Sequence, residues 1–147
     1  MKARTRARGV ALQALYEIDL VAHPPVDVLQ ERLEDEDLTP ELMEFARQIL
    51  FGILPLRERL DEVIARYAPE WPLDQIAPID RNILRMAAWE FAIQRDTPVK
   101  VAINEAVELA KMFGSDSAPR FVNGVLGSLA QHQNEITQLV RNAQNEG

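Results

Sequence analysis

Arg4 and Arg8 stand four residues apart near the start of the chain, with Lys2 and Arg6 beside them and no acidic residue among positions 1 to 8. On a helix the first two share a face, and Arg6 lies round the cylinder. Guanidinium groups grip phosphates in a planar fork, so such a cluster suits a polyanion. Gln13 and Tyr16 follow, three residues apart. An amide beside an aromatic ring can hydrogen-bond to an unpaired base and stack on it. A second group lies at Arg120 and Phe121, directly after the run Ser115 to Pro119. Helix-start amides with an arginine make a phosphate site, and an aromatic ring adds stacking. Each set also has an ordinary structural reading. A basic N-terminal segment is commonly solvated, Tyr16 suits the edge of a core, and a phenylalanine at this spacing is more often inside.

Other chemistries find little support. His23 and His132 sit in no metal-ligand spacing, and there is no cysteine for thiolate catalysis, disulfides or metal binding. Phosphate-binding loop, dinucleotide fingerprint and nucleophile elbow are all missing. Glu105 and Glu108 form a carboxylate pair, but on an acidic helix such residues are ordinarily surface charge. The expectation is a protein without metal, cofactor or covalent chemistry. It binds.

The 147 residues carry a net charge of −7, which by itself argues against a polyanionic partner. The distribution of that charge argues the other way. Beyond residue 8 the chain holds 12 basic and 23 acidic residues, so a basic tip stands on an acidic body. Such a tip can hold nucleic acid while the body receives a basic protein. A hydrophobic content of 47% is that of a globular domain rather than a disordered one. No apolar run approaches the roughly 18 to 20 residues of a membrane span. Neither a membrane partner nor a secretory signal is expected, and the cytoplasm is the expected compartment.

The elements that must position these residues are helices. Ala7, Val10, Ala11, Ala14, Leu15 and Ile18 make a stripe over residues 4 to 22, stopped by His23-Pro24-Pro25. Residues 26 to 34 form a shorter helix, followed by the solvated acidic turn Glu34 to Asp37. Thr39-Pro40-Glu41 starts a third, with a capping hydroxyl, a proline in the first turn and an acid at the positive end. Pro55 interrupts it, and Leu56, Leu60, Val63, Ile64 and Tyr67 continue a stripe. A hinge at Ala68 to Pro72 divides an N-terminal half (residues 1–70) from a C-terminal half (71–147), with Trp71 anchored between them.

Three further stripes organise the second half: Ile79, Ile83, Met86, Ala87; Val101, Ile103, Val107, Ala110; and Phe121, Val122, Val125, Leu129. Gly114 suits a left-handed cap, and Asp116 or Ser117 can cap the helix that follows. That last helix should run on to about residue 141. Gly124 and Gly127 inside it each cost roughly 1 kcal/mol against alanine, a cost most readily explained by a crossing helix.

The runs RARGVALQALYEID (Arg6 to Asp19), IDRNILRMAAWEF (Ile79 to Phe91), VKVAINEAVELAKMFG (Val99 to Gly114) and RFVNGVL (Arg120 to Leu126) resemble the NusB family. These are small all-helical RNA-binding proteins of bacterial transcription antitermination. The likeness covers most of the chain in the expected order. It implies an all-α fold of two packed three-helix bundles, about seven helices in one compact domain. It implies an RNA surface of Arg4, Arg6, Arg8, Gln13, Tyr16, Ser117, Arg120 and Phe121. The ligand would be single-stranded boxA RNA, and the partner NusE, a ribosomal protein, bound around Asp74 and Asp80. The assembly would join the RNA polymerase elongation complex, and a homodimer is possible. Two alternatives are the RNA-binding domain attached to some ribosomal RNA cytosine methyltransferases, for which no catalytic domain is seen here, and a module that binds only protein.

Overall fold

The computed structural model describes residues 2–146, with the side chains of residues 73 and 143–146 outside what is described. Among the described residues every regular element is helical: α1 Ala3–Leu20, α2 Pro25–Glu34, α3 Pro40–Ile53, α4 Arg57–Tyr67, α5 Pro78–Ala88, α6 Val99–Phe113, α7 Ala118–Ala130 and α8 Gln133–Glu146, with short 3-10 and π turns between some of them. Helices α1 to α3 pack together, as do α5 to α7, and α1 touches both groups. That central place explains its composition. Ala7, Gly9, Val10, Ala11, Leu12, Ala14 and Leu15 are buried on nearly every side, and small residues let four neighbours come close. Ile18 is only half-buried.

Local chemistry sets the boundaries. Thr39 accepts a hydrogen bond from the Leu42 amide at 3.3 Å, and Pro40 opens α3. Pro55 sits in a 3-10 turn, Leu54–Leu56, that redirects the chain into α4. After α5 the chain widens into a π-turn at Trp89–Gln94, ended by Arg95 at φ 65°. Widening a helix leaves carbonyls short of partners. The Gln133 amide donates to the Phe91 carbonyl at 2.7 Å and the Thr137 hydroxyl to that of Ala92.

Four expectations are corrected. Gly114 is extended rather than left-handed: its amide closes α6 on the Ala110 carbonyl at 2.9 Å, and the chain then leaves straight, with no room for a Cβ beside Ala118. Ser117 caps nothing with its side chain. The final helix breaks at Gln131 and His132, so that α8 can turn onto the π-turn. On α6 the core face is Ala102, Ala106, Leu109 and Ala110, while Val101 is 45% exposed. Alanines face inward there because α5 and α7 both press on that side.

A polar network ties α1, α4 and α5. Arg85 grips Asp61 with two bonds of 2.7 and 2.6 Å and donates to Asp19 at 2.7 Å. Asp19 also accepts from Arg57 at 3.0 Å and from Asn82 at 2.9 Å. Burial alone would raise the Asp19 carboxyl, but these donors outweigh it and hold it below the usual value. None of the described helices is long and apolar enough to cross a membrane.

Candidate nucleic-acid interface

Positions 6, 9, 13 and 16 recur every three or four residues, so Arg6, Gly9, Gln13 and Tyr16 form one face of α1. Arg6 is part-exposed; its Nη2 donates to the Asp37 carbonyl at 2.7 Å and its Nε stands 3.7 Å from Glu36. Gln13 accepts from Arg32 of α2 at 3.0 Å, and the same guanidinium pairs with Glu17 at 3.0 Å. Tyr16 is half-buried. The face thus offers two guanidinium groups, an amide and a phenol along nearly three turns.

Arg4 and Arg8 face elsewhere. Both lie over the Phe45 ring, 4.0 and 5.1 Å from its centre. Arg4 is exposed. Arg8 is 3% exposed, bound to Glu90 at 3.0 and 3.3 Å and 3.6 Å from Glu105, which also accepts from Thr5 at 2.9 Å. Its charge is spent inside the protein. Even beside Arg8, burial keeps the Glu90 carboxyl above its ordinary value.

The turn between α6 and α7 reaches this face. The Phe113 ring lies where a Cβ on Gly9 would meet it at 3.4 Å, so the glycine lets the end of α6 settle on α1. Ser115 and Ser117 follow, exposed, with their hydroxyls 3.3 Å apart, and Arg120 is exposed one turn later. On the other side of the turn a Cβ on Gly114 would stand 3.0 Å from Asp80 Oδ1. Asp80 belongs to a cleft of about 320 Å³ lined also by Glu70, Trp71, Gln75, Ile76 and Phe121. Phe121 meets Trp71 edge-on, with ring centres 6.1 Å apart. Asp80 is 8% exposed, its Oδ1 has no hydrogen-bond partner among the described residues, and burial raises its carboxyl. Asp74 is exposed on the one-turn helix Leu73–Gln75. A chain of contacts therefore runs from Gly9 through Phe113 and Gly114 to Asp80 and the cleft that holds Phe121.

A family model described as the NusB family matches residues 5–131. The chain belongs to the NusB family. Transcription antitermination protein NusB of Roseiflexus castenholzii is 47% identical over 134 residues, which is 90% of this chain and 94% of that protein. Among solved structures, T. maritima NusB superposes with a TM-score of 0.78 at 31% identity, covering 92% of this chain and 96% of that one. NusB in a crystal structure of antitermination factors NusB and NusE in complex with dsRNA gives 0.80 at 25% identity, covering 89% and 98%.

Within this NusB family member the structure gathers Arg6, Gln13 and Tyr16 on one face and sets the turn with Ser117 beside it. Arg8 is withdrawn into the core, and the Phe121 ring is turned toward Trp71. Arg32 was missed by sequence reasoning. Its only local signal is a basic residue ending an amphipathic helix, and its neighbour Gln13 is 19 positions away. Gly124 and Gly127 are not crossed by a helix. Among the described residues a Cβ at Gly127 would meet nothing within 4 Å, and one at Gly124 would only touch Trp71 at 3.8 Å.

Proposed function

We propose that this chain is a transcription antitermination factor that binds single-stranded boxA-type RNA together with the ribosomal protein NusE, and that the assembly joins the elongating RNA polymerase in the cytoplasm and supports ribosomal RNA transcription. The observation that carries this reading is the continuity of the α1 face with the α6–α7 turn and the acidic cleft behind it. Arg4, Arg6 and Arg120 supply cations for phosphates, and Ser117 a hydroxyl. Gln13 and Tyr16 present an amide and a ring to unpaired bases. Phe121 forms the far edge. Arg8 acts through position, holding α1 against α5 and α6. Asp74 and the unpartnered Asp80 suit a basic protein, since an unpaired buried carboxylate gains most from a cation brought to it.

Titration of labelled boxA RNA, single-stranded and as a duplex, with and without NusE, tests the proposal. Binding of the single strand should strengthen when NusE is added. Preference for the duplex would reject the base-reading role of Gln13 and Tyr16. No RNA binding in any combination would leave a module that binds protein alone.

A further inference from the structure

The acidic turn that ends α2 lies against the arginine tip of α1. A backbone carbonyl at 2.7 Å and a carboxylate oxygen at 3.7 Å surround Arg6, much as two phosphate oxygens would. The pair is accessible: the side chains of Arg6 and Glu36 are 33% and 40% exposed. Glu34, Asp35, Glu36 and Asp37 are all exposed, and among the described residues only Glu36 of the four brings its side chain to a cation. Four successive carboxylates repel one another, and packing gives them no return.

We infer that this turn is an internal competitor for RNA, with the Asp37 carbonyl bonding the guanidinium that a phosphate must take and the Glu36 carboxylate supplying the competing charge. The inference rests on the reading that Arg6 meets phosphate. A strand offering only phosphates must displace the turn with nothing added. A strand whose bases also engage Gln13 and Tyr16 gains contacts that repay the displacement. The turn therefore makes binding selective at the expense of its strength.

The test is a double-substitution cycle on the full chain, using a single-stranded boxA oligonucleotide at low salt. Glu36→Gln removes the charge from an exposed side chain and should leave the unfolding temperature unchanged. It should tighten RNA binding about two- to five-fold, the range of an exposed ion pair. In an Arg6→Ala background the same change should have no effect. If Arg6→Ala weakens binding while Glu36→Gln does not tighten it, the competitor is refuted and the phosphate role of Arg6 stands. If Glu36→Gln tightens binding equally in both backgrounds, Glu36 acts through the general field and the competitor is again refuted. If Arg6→Ala leaves binding unchanged, the phosphate reading itself falls and takes this inference with it.

Discussion

Arg6 and Arg8 lie two positions apart and have opposite fates. Arg6 reaches a turn in water, whereas Arg8 is enclosed with Glu90 and Glu105. Arg6→Ala should therefore shift stability by less than about 0.5 kcal/mol and lower the slope of log binding constant against log salt by about one. An unchanged slope would remove Arg6 from the phosphate contacts. Arg8→Ala should instead cost about 3–5 kcal/mol, because Glu90 stays buried without its partner. That loss should depend on pH. A carboxyl raised in the folded state contributes stability below its unfolded pKa and loses it as pH rises through the raised value. Removing Arg8 takes away the main influence opposing burial of Glu90, so the variant should recover part of its loss at acid pH. Urea unfolding near neutrality and near the ordinary glutamate pKa of about 4.3 compares the two. Helical spacing alone put Arg4 and Arg8 on a shared face, and so it proved over Phe45. It could not say that Arg8 turns inward while Arg4 stays exposed, because Glu90 lies 82 positions away.

Elements were legible wherever a chemical stop accompanies the pattern. Thr39-Pro40 and Pro55 both mark real boundaries. The pattern failed where two apolar faces compete, as on α6, where alanines won the core because two helices press on them. It failed again at the π-turn, where the Phe91 and Ala92 carbonyls find partners on α8, more than forty positions on. Glycines make the same point about local against distant causes. Gly127 has open space around it, so Gly127→Ala should stabilise the protein by about 0.5–1 kcal/mol through helix propensity. Gly52 is also helical, yet a Cβ there would stand 2.4 Å from the Trp89 ring. Gly52→Ala should destabilise by about 1–3 kcal/mol, as overpacked substitutions do. Thermal unfolding should move in opposite directions for the two, and a rise for both would mean that Trp89 yields freely.

At the scale of the molecule, charge works twice, once inside and once outside. Inside, Asp19, Asp61 and Arg85 join α1, α4 and α5 through part-buried bonds. The Asp19 carboxyl is held below its usual value, so its contribution is complete above the unfolded pKa and lost as pH falls through the depressed one. Asp19→Asn should be less stable near neutrality and should lose less on acidification; an identical acid limb would show that Asp19 does not drive it. Outside, a net charge of −7 accompanies a basic tip, so RNA that reaches the arginines still feels an acidic body. A basic protein seated near Asp74 and Asp80 would cancel part of that field and strengthen RNA binding without touching the strand. Screening separates this from direct contact. The Debye length falls as salt rises, whereas packed contacts between partner and strand persist. The fold-gain in RNA affinity from adding NusE should therefore be larger at about 50 mM than at about 200 mM salt. A gain that stays the same across that range would assign the partner's effect to its own contacts and leave the acidic body without influence on RNA.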